Sequence, residues 1–272
     1  MKKFLSVLLT LALLLSLGLV LASCEKKAED PGHLGMQLEK PAAGEEIGII
    51  TTSMGVIKVR FFPENAPKTV KNFKDLAKEG WFNNKIFHRV INDFMIQAGG
   101  SEQNPNESKS IYGDKFDNEF SKNLINIRGS LAMANAGLDS SGNGTNSSQF
   151  FINQAGPDKI SWSQLETYFS NFRQDSSSFG TYGVVDFNKV TDEYRKLYNE
   201  NGGNANLDGY YNANKKSGHT VFAQVFEGMD VVDAIAAVKT VSKTISEGSQ
   251  PVDDMPETTV FIEKIELEAY KN

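Results

Sequence analysis

From Val56 to Phe62, the side chains of Ile57, Val59 and Phe61 alternate with those of Lys58 and Arg60. This is the period-two pattern of a strand with one buried face. Ile47 to Thr52 reads as its partner strand, with Ser53-Met54-Gly55 as the turn between them. The period then changes. From Pro67 to Glu79, Val70, Phe73, Leu76 and Ala77 fall on one helical face, with lysines opposite. Pro67 suits a first turn and Gly80 suits the end of the helix. A second helix is predicted from Met229 to Val238, turning Val232, Ile235 and Ala236 inward. The last strand, Thr258 to Leu267, is rich in β-branched residues, and its alternation breaks at Lys264-Ile265, which marks a bulge. Two helices among many strands, without βαβ alternation, predict a mainly β domain built on a closed antiparallel barrel.

The first residues follow a different pattern. Met1-Lys2-Lys3 is a short positive segment, and Phe4 to Leu21 is an almost unbroken apolar run. This is the layout of a secretory signal peptide. It ends in Leu21-Ala22-Ser23-Cys24, which resembles a bacterial lipobox, so residues 1–23 read as a lipoprotein signal and Cys24 as the lipidation site. Cys24 is the only cysteine, so no intramolecular disulfide can form and acylation gives the thiol a role. Residues 24–46 are charged and carry Pro31, Gly32, Pro41 and Gly44, which predicts a flexible lipid-anchored spacer. The barrel domain is then expected over 47–272. Its expected location is extracytoplasmic, tethered to a bacterial membrane at the cell surface or periplasmic face.

Charge narrows the partners. With 28 basic and 34 acidic residues, the net charge is −6, and no basic stripe suggests nucleic acid. His33, His88 and His219 are too scattered for a zinc site. Ser140-Ser141-Gly142-Asn143-Gly144 lacks the ending of a phosphate loop and reads as a turn. No cofactor is called for. Residues 154–218 are polar and turn-rich, with helical character over Trp162–Phe172 and Phe187–Tyr198, and so form a partly helical insertion.

Three segments carry the chemistry: Phe87-His88-Arg89-Val90-Ile91-Asn92-Asp93-Phe94-Met95-Ile96-Gln97, Leu131-Ala132-Met133-Ala134-Asn135-Ala136-Gly137 and Ser148-Gln149-Phe150-Phe151-Ile152-Asn153. Together they resemble the cyclophilins, a family of peptidyl-prolyl cis/trans isomerases, and the likeness runs from about Ile47 to Leu267. The resemblance implies an eight-stranded barrel capped by two helices. It implies Arg89 as the catalytic residue and Phe94, Met95 and Phe151 as the proline pocket. Gln97 and Gln149 become groove amides, Ala134 and Asn135 the strand that binds the substrate backbone, and His219 and Phe222 further walls. Its substrates would be proline-containing exported or unfolded polypeptides. His88 reads as a satisfied core histidine.

The match has departures. Asn92-Asp93 stands where Pro-Gly is common, a turn-for-turn change. Ala98-Gly99-Gly100 differs slightly from the usual Gly-Gly-Asp. The tryptophan that many members carry before the histidine falls near Asn214 to Gly218, where no aromatic stands. Weak cyclosporin binding is therefore expected. Two other readings compete with a folding isomerase: a cyclophilin-fold binding module or holdase with incidental activity, and a transporter's solute-binding lipoprotein. The second lacks the α/β alternation it would need.

Overall fold

The computed structural model describes residues 30–245 and 250–271. The signal segment and Cys24 lie outside the described residues. From Pro31 onward the chain is one compact unit.

Ten strands are described: β1 (Glu46–Thr52), β2 (Gly55–Phe61), β3 (Lys85–Ile91), β4 (Met95–Gly100), β5 (Ser130–Met133), β6 (Phe150–Asn153), β7 (Val221–Glu227), β8 (Thr240–Lys243), β9 (Val252–Pro256) and β10 (Phe261–Ala269). The four described α-helices are α1 (Pro67–Lys78), α2 (Trp162–Gln174), α3 (Asp192–Asn201) and α4 (Met229–Ala236). Eight strands close an antiparallel barrel in the order β1-β10-β3-β4-β6-β5-β7-β2, while β8 and β9 form a separate hairpin. The irregularity expected at Lys264-Ile265 lies one residue earlier. Thr51 pairs with Lys264 and Thr52 with Ile262, so Glu263 is the extra residue.

The barrel interior takes alternate residues of each strand. Ile57, Val59, Phe61, Ile96, Leu131, Met133, Phe150, Ile152 and Phe222 share one core with the apolar stripes of α1 and α4. Phe73 of α1 lies 5.2–5.8 Å, ring to ring, from Phe222, Phe150 and Phe61. Ala66, which precedes α1, offers no side-chain cap. Glu119 fills that role from a distant loop, accepting from the backbone N–H groups of Lys68 and Thr69 at 3.0 and 2.8 Å.

On β4, β5, β6 and β7 the outer face is covered as well. Met95, Ala132, Phe151 and Val221 point there and pack with Phe62, Leu124 and Leu207 in a second cluster. Two-sided burial explains why β5 and β6 show no polar alternation.

The spacer expectation needs correction. Residues 31–45 fold onto the barrel, and the packed domain does not wait for Ile47. Gln37 is buried, and its carboxamide donates to Ile125 O at 3.0 Å and accepts from Ile125 N at 2.7 Å. Met36 beside it packs against the outer cluster. Polar composition hid this, because the contacts are chiefly hydrogen bonds.

Within the insertion, α2 starts where expected but runs to Gln174. α3 begins at Asp192, later than the predicted Phe187, because Asp186 folds a turn and Thr191 caps the helix by accepting from Tyr194 N. Both helices enclose a third apolar cluster, in which Val185, Tyr194, Tyr198 and Tyr211 rest on Ile125 and Ile127.

Candidate active site

The outer face of β4 and β6, with the residues that follow β5, is the floor of a groove with about 850 Å³ of open space. The turn between β3 and β4 sets one end of it. Asp93 sits at φ +60°, and its N–H donates to Gln154 Oε1 at 2.8 Å. An aspartate tolerates this left-handed conformation. The Asn-Asp turn thus aims Phe94 and Met95 into the groove, where Phe151 of β6 joins them.

Arg89 on β3 lies across the ladder from Gln97 on β4, and both line the groove. The guanidinium is 44% exposed, at the groove rim, with Asp254 Oδ2 of the β8–β9 hairpin 3.8 Å from its Nε. Gln97 donates to Gln149 Oε1 at 3.0 Å, and Gln149 in turn donates to the carbonyls of Pro105 and Glu107 at 3.0 and 2.9 Å. This chain of amides anchors the 101–110 loop at the far end of β4. A Cβ on Gly100 would meet Pro105 O at 2.1 Å, so only glycine permits that close approach.

After β5, Ala134 N donates to Gln149 O at 2.9 Å. The Asn135 side chain is consumed internally, donating to Asn118, Asn146 and Gly218 and accepting from Gly137 N. Among the described residues, the backbone N–H and C=O of Asn135 find no protein partner. They present a short strand-like edge to the groove.

His219 forms the opposite wall. Its ring meets Phe151 edge-on at 5.2 Å, and its Nδ1 donates to Met133 O at 2.9 Å. Burial holds its pKa below the ordinary 6.5, outweighing the backbone bond that raises it. The ring is therefore neutral at pH 7, and its Nε2 has no proton to donate.

Of the residues expected in the groove, Arg89, Phe94, Met95, Gln97, Ala134, Asn135, Gln149, Phe151 and His219 are brought together. Phe222 is not. It points into the barrel against Phe73, because the period of two gives the outer face of β7 to its neighbour Val221. His88 is buried as expected but not satisfied, since its Nδ1 has no partner. Burial lowers its pKa to about 4.

Leu207 was missed. It lines the groove and is tied to the wall by His219 N donating to its carbonyl at 2.9 Å. A signal was present, because Leu207 is the only large aliphatic residue between Leu197 and Val221. Beside it, Asp208 is a fully buried carboxylate. It accepts from Tyr194 and Tyr198 hydroxyls at 2.7 Å each, and from Asn126 N and Nδ2 at 2.6 and 2.9 Å. Desolvation nevertheless raises its pKa to about 6. The insertion is thereby clamped to the barrel one residue from the groove wall. Neither Trp81 nor Trp162 lines the groove, and no tyrosine does.

The cyclophilin-type peptidyl-prolyl cis-trans isomerase/CLD family matches residues 47–267, so the chain belongs to that family and is an isomerase by class. A Staphylococcus saprophyticus protein named for peptidyl-prolyl cis-trans isomerase activity is 39% identical over 204 residues, covering 75% of this chain and 87% of that protein. A Staphylococcus aureus protein with the same name is 36% identical over 233 residues, covering 85% and 97%. A Streptococcus pyogenes protein, named as a bifunctional phosphatase/peptidyl-prolyl cis-trans isomerase, is 38% identical over 80% of this chain, but the match spans only 38% of its length. Among solved structures, a Cryptosporidium parvum cyclophilin-type isomerase superposes with a TM-score of 0.52 at 22% identity, covering 83% of this chain and 99% of that one. A second structure of the same protein, in the presence of the dipeptide Ala-Pro, gives a TM-score of 0.50 at 23% identity over the same shares. These likenesses establish the fold.

Proposed function

We propose that this chain catalyses rotation of X-Pro bonds in exported or surface polypeptides while held to a bacterial membrane by lipid on Cys24. The observation that carries the reading is Arg89 at the rim of an apolar pocket made by Phe94, Met95, Phe151 and Leu207. Amide resonance puts about 18–20 kcal/mol in the way of rotation. No bond is broken, so the task is to weaken conjugation at the prolyl nitrogen. A thousandfold to millionfold acceleration needs about 4–8 kcal/mol of differential transition-state binding.

In this account the pocket grips the proline ring by apolar contact. The backbone of Asn135 holds the neighbouring peptide group by hydrogen bonds. Arg89 presents fixed donors to the prolyl nitrogen as it pyramidalises, or to the adjacent carbonyl. Gln97 and Gln149 hold the polar side of the groove, and neutral His219 closes the other wall through Phe151. That a cyclophilin-type structure was determined in the presence of Ala-Pro supports the substrate class. The absence of any tryptophan from the groove lining supports weak cyclosporin binding.

Membrane attachment is supported by the Lys2-Lys3 segment, the apolar run and the position of Cys24. No helix among the described residues is long and apolar enough to cross a membrane. The test has two parts. The chain starting at Glu25 should speed isomerisation of a short Ala-Pro peptide, and the full-length chain should take up labelled fatty acid in a bacterial host while its Cys24→Ser variant should not. A well-folded chain without catalysis would turn the reading to client binding, and equal labelling of Cys24→Ser would refute lipid anchoring at that residue.

A further inference from the structure

The insertion does more than brace the groove. At the end of the groove where Phe94 and Leu207 meet, a second cleft of about 600 Å³ opens. It starts at Asp93 and Asn206, the chain neighbours of those two pocket residues, and its outer wall is Tyr168 and Tyr182 of the insertion. The opposite end of the groove, near Asn106 and Ser147, has no insertion residue in its lining. On the other wall, a separate cleft that includes Thr181, Ser217 and Gly218 meets the groove at Asn135, Ala136 and His219.

This wall is fixed in place. Asn214 Nδ2 donates to the carbonyls of Gly180 and Tyr182 at 3.0 and 2.9 Å, and Asn212 Oδ1 accepts from Val184 N at 3.1 Å. A Cβ on Gly183 would meet Asn206 O at 1.9 Å, so glycine lets the Tyr182 segment press directly against the short 3-10 turn Ala205–Leu207 that carries Leu207 into the groove. The buried Asp208 clamp ties α3, through Tyr194 and Tyr198, to the segment that carries Asn206 and Leu207.

The tyrosines nevertheless remain open to solvent. Tyr182 is 50% exposed, and its ring meets Tyr168 edge-on at 5.8 Å. Tyr168 Oη also accepts from Gln164 at 3.0 Å. At the mouth, Lys159 is already paired, with Asp93 at 3.1 Å and with exposed Asp158 at 3.4 Å. Two aromatic faces, a carboxamide and a lysine already engaged by carboxylates suit a neutral polar or aromatic group better than an anion.

We infer that this cleft is a peptide subsite, taking a neutral polar or aromatic side chain from residues flanking the isomerised bond on one side only. The inference rests on the isomerase groove proposed above, which the cleft adjoins through Asp93 and Asn206, the chain neighbours of Phe94 and Leu207. It makes the insertion a reader of sequence around proline.

Three peptides test it: an Ala-Ala-Pro-Ala core, the core preceded by Asn-Tyr-Asn-Tyr, and the core followed by the same four residues. The readout is the ratio of kcat/KM for each extended peptide to that for the core. One extension should gain about tenfold, as two aromatic contacts imply. The gain should shrink to about twofold or less in the double variant Tyr168→Ala/Tyr182→Ala and persist in Tyr182→Phe. No gain in the parent, a gain that survives the double variant, or an equal gain from both extensions would overturn the subsite. If the parent catalyses none of the peptides, the isomerase reading fails separately, and the same ratios are read as dissociation constants by calorimetry.

Discussion

Asp208 is the residue whose removal reports most about how the insertion holds the groove. It receives four hydrogen bonds, yet burial raises its pKa to about 6 from the ordinary 3.8. Between those values the native state binds more protons than the unfolded chain. The stability this group contributes is therefore fully present below the unfolded value and is lost as pH rises through about 6. At about 1.36 kcal/mol per pH unit, and with the unfolded carboxyl already about half ionised at pH 4, the loss between pH 4 and pH 7 is about 2 kcal/mol. An Asp208→Asn variant removes this titration while keeping the side-chain shape. His88 titrates in the opposite sense, with a folded value of about 4, but both chains carry it and it cancels in the difference. Urea unfolding of parent and variant at pH 4 and pH 7 should show the parent gaining about 2 kcal/mol on the variant at the lower pH. A difference that does not change with pH would mean that the four donors fully offset desolvation. A parent that gains at high pH would mean that they exceed it. Either result refutes the reasoning.

Three further outcomes follow from single contacts. Glu119→Ala removes the remote cap of α1 and should lower stability by about 1–2 kcal/mol in urea unfolding, with the isomerisation rate little changed. Gln37→Ala leaves the buried N–H of Ile125 unmatched, while its carbonyl keeps the Ile127 N–H, and should cost about 1–2 kcal/mol by the same assay, whereas a truly flexible spacer would show no change. Phe151→Ala opens the pocket floor beneath His219. It should cost about 3 kcal/mol of stability and raise KM for a proline peptide more than it lowers kcat, as a steady-state peptide assay would show.

The barrel was legible where one face of a strand meets water. Ile57, Val59 and Phe61 could be read against Lys58 and Arg60, and the stripe of α1 could be read at Val70, Phe73 and Leu76. On β5 and β6 both faces are buried, so the pattern carries no phase, and only the family likeness places Phe151 outside the barrel. For Phe222 the family likeness points to the pocket, while the phase of β7 turns it into the barrel. Gln37, Asp208 and Asn214 were silent for another reason. Each works through buried hydrogen bonds to residues far away in sequence, and polar composition alone reads as loop. Leu207 carried a signal, an isolated large aliphatic in a polar stretch, but the insertion was treated as one block from 154 to 218. The chain in fact returns to the groove at Leu207 and leaves it again before His219.

In the function proposed above, catalysis rests on Arg89. The most direct measurement is kcat/KM for an Ala-Pro peptide by the chain starting at Glu25, beside Arg89→Ala and Arg89→Lys. Loss of a directed cationic donor at the transition state should lower the rate of Arg89→Ala by about a hundredfold, about 2.7 kcal/mol, with the unfolding midpoint unchanged. Arg89→Lys should recover little, because lysine lacks the rigid fork. An Arg89→Ala variant within a few-fold of the parent would contradict the account and leave the apolar pocket alone to explain any catalysis.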